Sequence, residues 1–254
     1  MISFKKDNIS LVSGAGSGLG RAISIRIIEL GGSVIGVGRN EDKLNKTKNL
    51  CSIPENFYIE PRDLTTDFDN LPIWLKTLSE KYGKLSGLVN CAGIQETMPL
   101  AAIKIENSRK LFDINYFANI ALIKGFSKKN NNIGTGSSIV CISSFTSLIG
   151  LPATTNYSAS KGAINSMVKT LAVELARDGI RINSILPGHI ITELMTSENN
   201  KLSEQQLDSL KKKYPLGFGE PEDVADLTCF LLSNSSKWIT GSNIVIDGGA
   251  SINF

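Results

Sequence analysis

Tyr157 and Lys161 stand four residues apart in a segment with helical periodicity, and their side chains are well suited to acid–base chemistry. Positions i and i+4 share one face of a helix, so the phenol and the ammonium can reach one cavity. A phenol with a pKa of about 10 exchanges protons poorly at neutral pH, and a neighbouring ammonium lowers that pKa. The pair therefore predicts proton transfer to or from a carbonyl oxygen while hydride moves to or from its carbon.

Ser144 strengthens this interpretation, because the spacing of Tyr157 and Lys161 also arises by chance. Ser144 follows a strand-like run and lies thirteen residues before Tyr157. The carboxyl ends of strands are where doubly wound folds place their sites. We therefore expect the serine, the tyrosine and the lysine to meet at one edge of a sheet.

A glycine-rich loop follows the first strand-like run. Its four glycines occupy alternate positions from Gly14 to Gly20. The common fingerprint GxGxxG fits in no register, whereas Gly14-xxx-Gly18-x-Gly20 does. Such a strand-to-helix turn lets the backbone approach a pyrophosphate, and the helix N-terminus presents unpaired N–H groups to it. The loop predicts a nucleotide site; the alternative is a tight turn without a ligand.

The residues after the second strand-like run indicate which nucleotide binds. An acidic residue there would accept hydrogen bonds from the 2′-hydroxyl of NAD. This chain has Gly38 and Arg39 instead, and no acidic residue before Glu41. Gly38 leaves room, and the guanidinium of Arg39 offers a planar donor fork to a 2′-phosphate. The pattern favours NADP(H); the alternative is that Arg39 is a solvated residue at a helix start.

Short apolar runs alternate with amphipathic segments along the whole chain. The runs are β-branched and nearly continuous, which is typical of strands buried on both faces. Predicted strands cover residues 9–13, 33–37, 57–60, 87–90, 138–142, 181–186 and 243–246, and predicted helices cover 19–30, 71–82, 106–129, 156–177 and 221–233. This order predicts an α/β fold of the Rossmann type, a doubly wound, seven-stranded parallel sheet with helices on both faces. We expect one domain over residues 1–254.

Composition excludes several other classes of protein. The 254 residues include 27 basic and 24 acidic side chains, and 41% are hydrophobic, which argues against a disordered chain, a fibre or a nucleic-acid binder. No apolar run approaches the roughly 20 residues of a membrane span, and no signal-peptide core begins the chain. Four scattered cysteines and one histidine argue against a metal site. We expect a soluble, cytoplasmic protein with no metal.

Taken together, the motifs resemble those of the short-chain dehydrogenase/reductases over nearly the whole chain. Eight elements occur in that family's order and spacing. They are Gly14-xxx-Gly18-x-Gly20, Asp63, Asn90-Cys91-Ala92-Gly93, Asn115, Ser144, Tyr157-xxx-Lys161, Pro187-Gly188 and Asp247-Gly248-Gly249.

The resemblance implies a role for each catalytic candidate. Ser144 orients and polarises the substrate carbonyl, and Tyr157 is the acid in reduction and the base in oxidation. Lys161 holds the nicotinamide ribose and lowers the pKa of Tyr157. Asn115 anchors a water that links Lys161 to solvent.

The resemblance also implies the cofactor contacts and a homotetramer. Asp63 and Asn90 belong to the adenine and sheet-stabilising positions, and Thr192 binds the nicotinamide carboxamide. The cofactor-binding set is Gly14, Ser17, Gly18, Leu19, Gly20, Arg39, Asp63, Asn90, Ala92, Gly93, Tyr157, Lys161, Pro187, Gly188 and Thr192.

The substrate is less well indicated. Within the family, the chain is most similar to the 3-oxoacyl-carrier-protein reductases and their relatives. Those reductases carry basic residues near the end of the tyrosine helix to meet an acidic carrier protein, whereas here Asp178 follows Arg177 and partly cancels its charge. A sugar or nucleotide-sugar substrate is one alternative, and a catalytically silent nucleotide-binding sensor is another.

Several single residues keep structural alternatives. Asp63 is also suited to be a helix cap before Leu64-Thr65, and Asn115 to be a polar residue on a partly buried helix. His189 lies near the expected substrate mouth, where it either influences substrate choice or simply packs. The polar stretch 197–213, within a segment of about 192–215, is expected to form a substrate lid.

Overall fold

The structure is a computed structural model that describes residues 2–192 and 209–253. Seven strands form one parallel sheet in the order β3-β2-β1-β4-β5-β6-β7. The strands are β1 Ile9–Ser13, β2 Ser33–Gly38, β3 Phe57–Pro61, β4 Leu85–Asn90, β5 Ser138–Ile142, β6 Arg181–Pro187 and β7 Asn243–Ile246. The predicted seven-stranded α/β sheet is confirmed, and every strand lies within two residues of its predicted bounds.

Seven α-helices that lie wholly within the described residues connect or flank the strands. They are α1 Gly18–Glu29, α2 Glu41–Leu50, α3 Leu71–Tyr82, α4 Ile105–Phe112, α5 Ala118–Phe126, α6 Thr155–Ala176 and α7 Pro221–Leu232. Two predictions need correction. The sequence did not predict α2, and the single helix expected over 106–129 consists of α4 and α5, joined by a widened π-type turn at Asp113–Phe117.

Both faces of the sheet are covered. Leu11 packs into a core with α3, α5 and α6, whereas the next residue, Val12, packs into a second core with α1, α2 and α7. Consecutive residues of a strand face opposite sides, so a strand between two cores must be apolar throughout. This requirement explains why β1 and its neighbours are nearly continuous apolar runs.

The chain reverses direction across the sheet at β1. From β1 it winds through β2 to β3 on one side, and then returns to β4 on the other. The loops after β1 and β4 therefore diverge and leave a crevice at their carboxyl ends, which is where such sheets bind ligands. Within residues 2–192 and 209–253, none of the helices is long and apolar enough to cross a membrane.

The expected lid lies mainly on residues 193–208, outside the described residues. Its carboxyl-terminal end is described. There Tyr214 is buried against Phe145 and Ala250, with Leu210 and Phe218 packed on the same small cluster. The end of the segment is thus anchored to the body by apolar contacts.

Candidate active site

Three catalytic candidates line one cleft at the carboxyl edge of the sheet. Ser144 lies two residues beyond β5, and Tyr157 and Lys161 project from the first two turns of α6. All three line the cleft together with the glycine loop after β1 and the turn after β6. The structure therefore brings together side chains that the sequence places up to seventeen residues apart.

Ser144 is arranged as a hydrogen-bond donor. Its Oγ accepts from the backbone N–H of Thr146 at 3.2 Å and from Thr146 Oγ1 at 3.0 Å. A hydroxyl has two acceptor lone pairs and one proton, so the remaining capacity of Ser144 is donation. Ser144 also hydrogen-bonds to Tyr157. The sequence did not point to Thr146, because its distance from the strand and from Tyr157 matches no motif.

The electrostatics of Tyr157 are set by two opposing effects. Burial raises the pKa of Tyr157, and the hydrogen bond with Ser144 lowers it in part. Lys161 Nζ lies 5.7 Å from the centroid of the Tyr157 ring. The phenol is therefore protonated at neutral pH, which is the form that an acid in carbonyl reduction requires. The expected lowering of this pKa by Lys161 stays a prediction.

Lys161 is almost fully buried, and its Nζ donates to the carbonyl oxygen of Ile142 at 2.9 Å. Burial lowers the pKa of Lys161 to about 8. Ser143 Oγ donates to the backbone carbonyl of Lys161 at 3.0 Å and so ties α6 to the end of β5. Ser143, which sequence reasoning left out, thus positions the helix that carries the lysine.

Asn115 occupies the π-type turn between α4 and α5 and is fully buried. Its side chain accepts from the Ile94 N–H at 2.9 Å and donates to the Ile94 carbonyl and to Ser160 Oγ, both at 3.0 Å. A Cβ on Gly93 would lie 2.9 Å from Asn115 Oδ1 and 3.5 Å from Lys161 Nζ. Asn115 therefore fixes the loop after β4 beside Lys161, and its expected water-anchoring role stays a prediction.

The glycine loop presents backbone and few side chains to the cleft. Gly14 and Gly18 have positive φ angles of 74° and 50°, and a Cβ on Gly20 would collide with the carbonyl of Gly14. The Ser17 side chain caps no N–H group of α1, whose first turn holds no acidic residue. This open helix N-terminus fits the pyrophosphate of a dinucleotide, because its N–H groups lack other acceptors.

Hydrogen bonds with three side chains hold the glycine loop in place. Arg21 Nη2 donates to the Gly16 carbonyl at 2.6 Å, and Thr47 Oγ1 donates to the Ala15 carbonyl at 2.9 Å. Ser13 Oγ accepts from the N–H groups of residues 91 and 92 at 3.0 Å and joins the loops after β1 and β4. Arg21, Thr47 and Ser13 are positioning residues that the sequence motifs did not reveal.

At the outer end of the crevice, Gly38, Arg39 and Asp63 line a continuation of the cleft. Asp63 Oδ1 accepts from the Thr65 N–H at 2.8 Å and from Thr65 Oγ1 at 2.7 Å. These bonds lower the pKa of Asp63, and the charge of Arg39 adds to the effect. Asp63 therefore caps a turn, and the alternative prediction of a helix cap is wrong, because no helix begins at Leu64. Its expected role toward the adenine stays a prediction.

Asn90 lies deeper, at the end of β4. Its Nδ2 lies 3.9 Å from Cys141 Sγ, while its buried Oδ1 has no partner among the described residues. The neighbouring Cys91 lines the cleft, and burial raises the pKa of its thiol to about 12. A thiol with that pKa is protonated and unreactive at neutral pH.

The turn after β6 forms the opposite wall. A Cβ on Gly188 would lie 2.8 Å from the Cα of Asp247, so only glycine fits there. Thr192 faces Gly18 across the cleft. The His189 ring lies 4.7 Å from that of Phe218 and 6.2 Å from that of Tyr214, and burial lowers its pKa. His189 lines the cleft as a packed, neutral imidazole.

Ala153, in the loop before α6, has a φ of 64°, although it is not glycine. Its carbonyl accepts from the Met98 N–H at 2.7 Å and joins the loops after β4 and β5. A left-handed conformation costs an L-residue about 1 kcal/mol or more. We expect Ala153→Gly to raise the free energy of unfolding by about 0.5–1 kcal/mol in urea denaturation.

The matched control is Ala159→Gly on the exposed face of α6. This change should lower the free energy of unfolding by about 1 kcal/mol, because glycine disfavours helix interiors. Equal destabilisation by both changes would show that Ala153 carries no backbone strain.

Comparison with known proteins agrees with this geometry. A family model described as enoyl-(acyl carrier protein) reductase matches residues 14–251. The chain is 37% identical over 243 residues to the 3-oxoacyl-[acyl-carrier-protein] reductase FabG of Rickettsia felis, covering 94% of this chain and 95% of that protein. It is 33% identical to the (3R)-3-hydroxyacyl-CoA dehydrogenase of Rattus norvegicus, with 95% of each covered. A short-chain type dehydrogenase/reductase from Mycobacterium ulcerans superposes with a TM-score of 0.90 at 31% identity, covering 99% of this chain and 92% of that one.

Proposed function

Because the chain belongs to the short-chain dehydrogenase/reductase family and is an oxidoreductase acting on CH–OH and C=O groups, we propose that it reduces 3-oxoacyl thioesters with NADPH. The observation that carries the proposal is the convergence of Ser144, Tyr157 and Lys161 beside a bare glycine loop. The names of two relatives support the substrate class, since one acts on a 3-oxoacyl thioester and the other on a 3-hydroxyacyl thioester.

The residues of the cleft divide the work of the reaction. Bound NADPH would supply the hydride. Tyr157, protonated at neutral pH, gives its proton to the substrate oxygen, and Ser144 donates a hydrogen bond to the same oxygen as negative charge develops there. Lys161, buried next to the phenol, provides a positive charge at the cofactor end of the cleft.

The thioester carrier is proposed to be an acyl carrier protein. The basic face at the end of α6 is weak, because Arg177 Nε lies 3.8 Å from Asp178 Oδ2. Lys128 and Lys129 are exposed after α5 and offer two further positive charges to an acidic carrier protein. A coenzyme A thioester presents the same reactive carbon, so the two carriers need to be compared directly.

The deciding experiment is a spectrophotometric assay of NADPH oxidation. The panel contains acetoacetyl thioesters on acyl carrier protein and on coenzyme A, and a keto-sugar. We expect kcat/KM for the carrier-protein thioester to exceed that for the keto-sugar by at least ~100-fold. Equal turnover of the keto-sugar would exclude the thioester assignment, and absence of turnover with the entire panel would exclude the reductase proposal.

Cofactor preference gives a second prediction. Arg39 is exposed at the outer end of the crevice, next to Gly38. A charged fork on a phosphate is a strong interaction, so we expect NADPH to be preferred over NADH by at least ~10-fold in kcat/KM. Arg39→Ala should remove most of this preference. The control is Arg109→Ala, which removes an equal charge from the exposed face of α4.

Equal use of NADPH and NADH by the unmodified protein would exclude this cofactor assignment. If Arg39→Ala and Arg109→Ala both lowered the preference for NADPH over NADH, the preference would depend on net charge and not on Arg39.

We also propose the homotetramer implied by the resemblance. Large apolar side chains exposed on the single chain support self-association: Trp238, Leu216 and Ile252 are each at least 87% exposed. A cytoplasmic location likewise stays a proposal.

A further inference from the structure

Arg62 is a cation to which the proposed function assigns no role. It follows β3, and its backbone N–H donates to the carbonyl of Gly38 at 2.9 Å. Its guanidinium carbon lies 4.7 Å from the centroid of the Trp74 ring. Among the described residues, its buried Nε has no hydrogen-bond partner and no carboxylate forms an ion pair with its guanidinium.

The strand register places Arg62 beside Arg39. Gly38 and Pro61 are paired where β2 and β3 end. The residues that follow, Arg39 and Arg62, therefore leave neighbouring strands at the same level, about 5 Å apart in backbone. Both side chains line the same part of the cleft, which also contains Gly16 and Ser17 of the glycine loop.

Two neighbouring guanidiniums repel each other unless an anion lies between them. The Asp63 carboxylate is close enough to Arg39 for that charge to lower its pKa, but its Oδ1 already accepts two hydrogen bonds from Thr65. Among the described residues it forms no ion pair with Arg39 or Arg62. The Trp74 ring, 4.7 Å from the guanidinium carbon, holds the Arg62 side chain in place by a cation–π contact. A phosphate dianion supplies both the charge and the acceptor oxygens that two such forks require.

We propose that Arg62 is the second arm of a two-arginine clamp, in which Arg39 and Arg62 hold the 2′-phosphate of NADP(H) between them. Arg62 is thereby a specificity-determining residue for the cofactor, and Trp74 is its positioning residue. The proposal rests on the NADP(H) preference proposed above.

The test compares the binding of 2′,5′-ADP with that of 5′-AMP, which differ only in the 2′-phosphate. Trp238 is 96% exposed, and the chain has two tryptophans, so a Trp238→Phe background makes Trp74 the sole indole reporter. Fluorescence titration gives both dissociation constants without any turnover. The quantity of interest is the dissociation constant for 5′-AMP divided by that for 2′,5′-ADP.

Arg62→Met keeps an unbranched side chain on Trp74 but removes the charge, and we expect it to lower this ratio by at least ~10-fold. Arg62→Lys keeps the charge without the fork and should lower the ratio by about 3-fold. The matched control is Lys110→Ala, which removes a charge from the same cleft. Lys110 Nζ is already paired with Glu106 at 2.6 Å, so the ratio in Lys110→Ala should stay within about 2-fold of that in the parent.

A ratio in Arg62→Met within about 2-fold of the parent, while Arg39→Ala loses its preference, would overturn the role of Arg62 and leave the NADP(H) proposal intact. If Arg62→Met weakened the binding of 2′,5′-ADP and of 5′-AMP equally, the clamp would be overturned, because Arg62 would then contact the adenine. A parent ratio near one would overturn both proposals. If Arg62→Met does not fold, an unchanged ratio in Arg62→Lys overturns the clamp.

Discussion

Replacement of Tyr157 by phenylalanine is expected to lower kcat by at least ~100-fold while the dissociation constant for NADPH changes by less than about 3-fold. The hydroxyl of Tyr157 is hydrogen-bonded to Ser144, whose two acceptor sites are taken up by Thr146 and whose proton remains for donation. Removing the Tyr157 hydroxyl deletes the proton donor but leaves the aromatic ring and the glycine loop in place. Steady-state turnover and a fluorescence titration of NADPH measure the two quantities separately.

The control for this change is Tyr58→Phe, which removes a phenol hydroxyl from β3, whereas Tyr157 lies on α6. Its turnover should match that of the unmodified protein. If Tyr157→Phe kept more than about a tenth of the original kcat, the acid would have to be a different group.

Lys161→Met is expected to lower kcat/KM by at least ~10-fold and, at the same time, to raise the free energy of unfolding by about 1 kcal/mol at pH 7. The ammonium is almost fully buried, with one hydrogen bond to the carbonyl of Ile142, and burial lowers its pKa to about 8. A group that is harder to protonate in the folded chain than in the unfolded one destabilises the fold whenever it is charged.

The dependence on pH has a definite sign. Below pH 8, Lys161 is charged in both the folded and the unfolded chain, so its full cost is present and the gain from Lys161→Met is largest. Between pH 8 and the unfolded pKa of about 10.4, the folded lysine loses its proton first, and the gain should shrink towards zero. Urea denaturation at several pH values measures this trend.

Lys169→Met provides the matched control, because Lys169 is an exposed lysine on the same helix. It should change the free energy of unfolding by less than about 0.5 kcal/mol at every pH. A gain from Lys161→Met that did not change with pH would contradict the assignment to buried charge, and so would a net loss of stability.

Much of the fold could be predicted from local patterns. Strands buried on both faces must be apolar throughout, so their runs are visible in the sequence without knowledge of their neighbours. Helix α2 has no comparable pattern, because Leu44 and Thr47 are its only buried residues. The π-type turn before α5 was equally invisible, since it interrupts the helix without a glycine or a proline and serves to bury Asn115.

The sequence by itself determined the alternation of strands and helices, the glycine spacing, and the shared helix face of Tyr157 and Lys161, because each depends on residues close together in the chain. Only the tertiary structure decided which polar atoms meet across the sheet. The direction of the Lys161 ammonium towards Ile142 and the adjacency of Arg39 and Arg62 depend on strand order and register. Register is set by packing between elements distant in sequence, so no local pattern encodes these contacts.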